Sequence, residues 1–216
     1  MAATESGDAA LADRQWFIVG RWEEFEGEGR ANLLRIIGIG AFYIVELLNF
    51  HVYQVVDRPF HQTVTALAVA WTMVALGTLV CLRRQIFPAA LKYATTAADV
   101  VLLTGILMVA DGPRSPLLIG YLLVIALSAL RFQVRLIWFA TLATASGYLV
   151  LLGYAKWWAN REESVFGKRE LTVPQYHEFI FLLGLALTGI ILGQIVRRVK
   201  SMAVEFTRRI DTAQRS

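Results

Sequence analysis

Residues 179–196 read FIFLLGLALTGIILGQIV, eighteen consecutive positions without a charged side chain. Crossing the hydrocarbon core of a bilayer takes about 20 mostly apolar helical residues. This run, opened by Pro174 and Gln175 and closed by Arg197 and Arg198, has that length. Apolar and polar residues do not alternate along it, so it does not read as a barrel strand. In lipid the remaining choice is an α-helix, which satisfies its backbone polar groups within the segment. Five further apolar stretches precede it, and the spans fall at 33–53, 63–82, 89–110, 116–134, 136–155 and 175–196. The chain has 216 residues, 56% of them apolar and only 18% charged, where soluble domains carry about 25% charged. Mean hydropathy is +0.53. Six spans leave no room for a sizeable soluble catalytic domain.

The breaks between spans have turn chemistry. Asp57-Arg58-Pro59 and Arg83-Arg84-Gln85 interrupt the early stretches. Asp111-Gly112-Pro113-Arg114-Ser115-Pro116 reads as a tight turn in which Ser115 caps a helix opened by Pro116. Thr172-Val173-Pro174-Gln175 reads as a capping box. Within the fourth span only Leu117–Leu130 is uninterrupted, so Arg131 is expected to snorkel to the interface. The connection at 156–174 is the one long loop, with Trp157 and Trp158 as an interface belt.

Lys and Arg set the orientation. With the N-terminus inside, fifteen of the 21 basic residues fall on inner segments and six (Arg58, Arg114, Lys156, Arg161, Lys168, Arg169) on outer ones. The positive-inside rule and an even number of spans agree on both termini inside. The net charge of +4 is therefore topology, and no nucleic-acid surface is implied. The expected architecture is an all-α integral membrane protein, a six-transmembrane helix bundle. Residues 1–31 form a cytoplasmic tail, 32–196 the membrane domain and 197–216 a cytoplasmic exit helix. The tail shows no signal-peptide pattern. Trp16, Phe17, Ile18, Trp22 and Phe25 among charges suit a helix lying in the interface.

Ionisable groups inside spans are costly and mark candidate sites. Tyr43, Glu46, Asn49 and Tyr53 share a helical stripe spaced by three or four, with Phe50 on the same face. With Asp99, mid-way along the third span, they form the candidate ligand or sensing pocket. Interhelical hydrogen bonding that only fixes packing is the other reading. Asp99 is expected to pair with Lys92 through Thr95 and Thr96, or to be protonated by desolvation. His51, His61 and His177 all fall at the outer face, beside Asp57, Asp111 and Glu178. Their spacing matches no metal motif, so they are read chiefly as interfacial residues, with a metal or pH-switch role open. HExxH, GxSxG and Walker patterns are absent, and the lone Cys81 excludes an internal disulfide and a CxxC motif. The reading is of a non-enzyme without a cofactor.

The last span continues without Gly or Pro into Arg197-Arg198-Val199-Lys200. Ile195, Val199, Met202, Phe206, Arg209 and Ala213 follow a 4-3-4-3-4 spacing, close to the seam of a coiled coil. That stripe suits pairing with a second protomer; a basic helix resting on anionic lipid is the competing reading.

Six spans, both ends inside, the Gly112-Pro-Arg-Ser-Pro-Leu117 turn and the helical exit resemble bacterial six-transmembrane sensor input domains, which precede histidine kinases and nucleotide cyclases. The stretch Gly27–Arg35 gives the same impression. The resemblance implies a multi-pass inner-membrane sensor, a homodimer or larger membrane complex, and an output domain further along the chain or on a partner. A structural or assembly subunit of a membrane complex, and a small transporter or channel, remain open from the residues alone.

Overall fold

The computed structural model describes the backbone at 2–54, 56–84, 88, 90–158 and 173–215, with side chains described at 26–54, 56–84, 88, 90–157 and 173–205. Among the described residues all regular structure is helical: α1 (Ala2–His51), α2 (Arg58–Arg83), α3 (Leu91–Val109), α4 (Ile119–Ala129), α5 (Val134–Gly153) and α6 (Gln175–Arg215). Five helices are long and apolar enough to cross a membrane, the sixth apolar stretch, Pro116–Ala129, being shorter. The described residues form an all-helical bundle whose five long apolar helices suggest a multi-pass membrane protein.

Pairwise contacts fix the arrangement. Asn32 of α1 lies opposite Ala75 of α2, Tyr43 opposite Thr65 and Glu46 opposite His61, an antiparallel hairpin in regular register. Helix α3 packs against α2 and α5, and α6 packs against α5 and α4. The short apolar stretch returns the chain along the full height of α3. It leaves the Val109 end through turns at Gly112–Arg114 and Pro116–Leu118, and by Arg131 the chain touches Lys92 at the opposite end. Fourteen residues of α-helix rise only about 21 Å; the 3-10 turns, with a rise near 2 Å per residue, lengthen that reach. Gly112 adopts φ 56°, a left-handed conformation that suits glycine. Ser115 accepts a hydrogen bond from the Leu117 backbone N–H at 3.2 Å, the cap expected of it.

The apolar core belongs to α3–α6. Leu103, Leu107, Tyr121, Ile125, Ile137, Leu151 and Leu185 are fully or nearly fully buried there. Gly189 brings α6 so close to α5 that a Cβ would stand 2.2 Å from the Thr141 hydroxyl oxygen. Helices α1 and α2 flank this core, and α1 reaches it mainly through polar side chains.

Helix α6 continues through residue 196 to Arg215, the unbroken exit its sequence leads one to expect. Two local details differ from expectation. Helix α1 runs without interruption through residue 31, and Gly27, Glu28 and Ala31 are buried against the bundle. The reason is close approach: a Cβ on Gly27 would stand 3.1 Å from the Leu130 carbonyl oxygen. Arg131 does not snorkel but turns inward and is buried, because Glu28 and three oxygens of α3 offer it partners there. The interfacial aromatics at 16–25, Trp158, Thr172 and Phe206 lie outside the residues whose side chains are described.

Candidate functional site

Two polar clusters lie along one face of α1. The inner one starts from Glu28, Asn32 and Arg35, spaced i, i+4, i+7 so that all three point into the bundle. Arg35 donates from Nε and Nη2 to the two carboxylate oxygens of Asp99, both at 2.8 Å. This fork-to-fork geometry is the strongest form of a charge-assisted pair. The indole N–H of Trp71 donates to the same carboxylate at 2.8 Å. Asn32 completes the arrangement, accepting from Arg35 at 2.8 Å and donating to the Ala75 carbonyl at 3.1 Å. Asp99 thus joins α1, α2 and α3 through one carboxylate.

About two turns nearer the helix starts, Arg131 donates to Glu28 Oε1 at 2.7 Å, to Thr96 Oγ1 at 2.8 Å and to the Lys92 carbonyl at 3.0 Å. A longer contact reaches Thr95 at 3.3 Å. Glu28 Oε2 and Arg131 Nε are buried and unbonded. With Lys92 also buried, this end of the bundle concentrates charge that only mutual pairing makes tolerable.

The outer cluster is smaller. The His61 Nδ1 lies 2.9 and 3.0 Å from the two Glu46 oxygens. Phe50 stacks on the His61 ring, centroids 4.0 Å apart and planes within 5°. His51 meets the same ring edge-on at 6.1 Å. Tyr43 and Thr65 share a hydrogen bond at 3.2 Å one turn below. At the same end of the bundle, Lys156 pairs with Glu178 at 2.8 Å.

The pocket expected from the sequence is therefore two sites. Tyr43 and Glu46 belong to the outer cluster and Asn49 is half-buried near it. Tyr53 leaves the stripe and is 67% exposed, because α1 ends at His51 and helical spacing stops there. Asp99 sits with Arg35, eleven residues or about 16 Å of helix rise from Glu46. Its forked partner is Arg35, a residue the sequence reading did not pair with it; a guanidinium satisfies both oxygens where a single ammonium would satisfy one. His51 and His61 are neighbours, whereas His177 lies against Tyr176 on α6. Among the described residues no three His, Cys, Asp or Glu side chains form a group able to hold a metal.

Sequence reasoning missed Glu28, Asn32, Arg35 and Trp71. The signal was present in the i, i+4, i+7 alignment, hidden because the span was begun at residue 33 and Arg35 was counted as a topology charge. The chain matches no protein-family model, no curated protein and no solved structure.

Proposed function

We propose that this protein is a signal-transducing module of the bacterial inner membrane, both termini inside, that couples its outer-end cluster to a cytoplasmic output through α6. One observation carries the reading: α6 is a single helix of 41 residues that continues well past its apolar span. At about 1.5 Å per residue it is roughly 60 Å long, twice the hydrocarbon thickness. Val199 and Met202 remain exposed on its extension, in line with Ile195 at the end of the span, and a lone helix with an apolar stripe in water needs a partner. A second copy of the chain, paired in parallel, supplies one and makes α6 a route for rotation or sliding between protomers. The Glu46–His61 pair at the opposite end is the input this reading assigns.

Single cysteines at Val199, Met202, Arg198 and Lys200, in a Cys81→Ser background, test it in native membranes. Val199 and Met202 should crosslink efficiently and the other two poorly. Glu46→Gln should change the Met202 yield. Equal or absent crosslinking at all four positions overturns pairing in favour of a lipid-bound helix. A Met202 yield indifferent to Glu46 overturns coupling and leaves a structural subunit, which intact-mass measurement in mild detergent would show with its companions.

A further inference from the structure

Helix α1 is docked at its two ends and loose between them. From Gly27 to Arg35 it is fastened by buried Ala31, by Asn32 on the Ala75 carbonyl, and by the Glu28–Arg131 and Arg35–Asp99 pairs. Its only other buried residue in the described part is Glu46. Nothing from 36 to 45 is buried, a stretch of about 15 Å. In the facing interval of α2, about 62–72, the one buried residue is Val64. An open groove of about 250 Å³ runs between the two helices there, lined by Ile39, Gly40, Tyr43, Thr65, Ala68 and Thr72 among others.

Gly38 and Gly40 fall in this loose interval. A Cβ at either would meet nothing within 4 Å, so packing does not demand glycine. What glycine does provide is a helix more easily bent than one of alanine. Gly29, Gly77, Gly184 and Gly193 are equally open, but they lie outside the interval 36–45 in which α1 buries no residue.

We infer that the outer half of α1 is a hinged arm, bending at Gly38–Gly40 and held closed on α2 by the Glu46–His61 clasp. The asymmetry of its fastenings decides which half moves. The inner half is held by two buried ion pairs, an amide bond to backbone and close backbone packing. The outer half is held by one carboxylate–imidazole contact, the Phe50 stack and the Tyr43–Thr65 hydrogen bond. Opening widens the existing groove and leaves the charged inner network intact. The groups around the clasp are His51 on α1, Asp57 at the cap of α2 and Arg58 in its first turn. This arm gives the proposed module its input motion and rests on that reading only for its purpose, because its geometry is measured without any output.

Spin-label pairs in the full chain, Cys81→Ser and reconstituted in bilayers, test it. One pair, Val52 with Gln62, reports the outer end; another, Leu34 with Leu76, reports the inner end. In Glu46→Ala the outer distance should lengthen and broaden while the inner one keeps its wild-type distribution. Adding Gly38→Ala and Gly40→Ala should bring the outer distribution back toward wild type. His61→Ala breaks the same clasp from α2 and should reproduce the result if Glu46→Ala fails to insert. An unchanged outer distance, equal lengthening at both ends, or indifference to the two alanines overturns the hinge. None of these outcomes bears on α6 crosslinking, so the arm and the output route fail separately.

Discussion

Asp99 ties three helices together through one side chain. Its carboxylate accepts from Arg35 twice and from Trp71 once, so α1, α2 and α3 meet on two oxygens. Removing it strands a buried guanidinium, and breaking a buried pair from one side costs about 3–5 kcal/mol. Asp99→Ala should therefore lower the thermal midpoint in detergent sharply. Arg35→Lys should also destabilise, because an ammonium cannot reproduce the fork. The double variant Arg35→Met, Asp99→Leu should lose less than Asp99→Ala alone, since no charge is left unpaired. A double variant as unstable as the two single losses added would show that the pair does not act as a unit. That Asp99 was a site was legible in the sequence, as an acid in mid-span. Its partner was not, because Arg35 lies 64 positions away and near a span end, where a basic residue serves topology equally well. The Glu46 stripe was legible as far as the helix lasts, and Tyr53 was misplaced because spacing alone does not show where α1 stops.

At the scale of elements, the contact between α5 and α6 depends on a missing side chain. Gly189 faces Thr141, whose hydroxyl is already committed to the Ile137 carbonyl at 2.8 Å. Gly189→Ala overlaps that β-branched side chain, which has no flexible end to move aside, and overpacking of this kind costs about 1–3 kcal/mol. Pairing it with Thr141→Ala should recover most of the loss, and the measurement is again thermal unfolding of the four-member cycle. Independent, additive losses would place the strain elsewhere. Five of the six apolar helices were readable from length and hydropathy because lipid-facing and core-facing positions are both apolar. The fourth stretch was readable as apolar and, from its uninterrupted Leu117–Leu130, as short; what was not readable is that Arg131 turns inward toward Glu28, Thr95 and Thr96, a contact between distant segments. The continuity of α1 through residue 31 was hidden for a related reason: Glu28 and Asn32 look like tail residues until Arg131 and Ala75 are placed beside them.

The whole molecule carries its polarity in its charges. Both helical extensions, the start of α1 and the end of α6, leave the same end of the bundle, because α1 begins beside Arg131, α5 starts from that same turn, and α6 returns antiparallel to α5 from the Lys156–Glu178 pair. Of the fifteen basic residues assigned to that end, Arg35, Lys92 and Arg131 are buried in the inner network and say little about the membrane surface. Twelve remain against the six that the sequence assigns to outer segments, so the charge bias behind the expected orientation still favours both termini inside. The short fourth stretch bears on this directly. If it did not cross, Arg131 and Arg135 would face the outside and α5 would reverse its direction, yet Arg131 is bonded to Glu28 and to the Lys92 carbonyl at the inner end. A stretch of about 21 Å in a core of about 30 Å is accommodated by local thinning or by burial among neighbours, and Tyr121, Ile125 and Ser128 are buried. Reporter fusions after Arg84 and after Gln133 should therefore both be cytoplasmic, and a fusion within 160–170 should be external. A Gln133 fusion on the outside would mean that the fourth stretch lies in one leaflet and that Arg131 meets Glu28 some other way. An external signal at Arg84 would invert the whole arrangement, putting both helical extensions outside and removing the basis for a cytoplasmic output through α6.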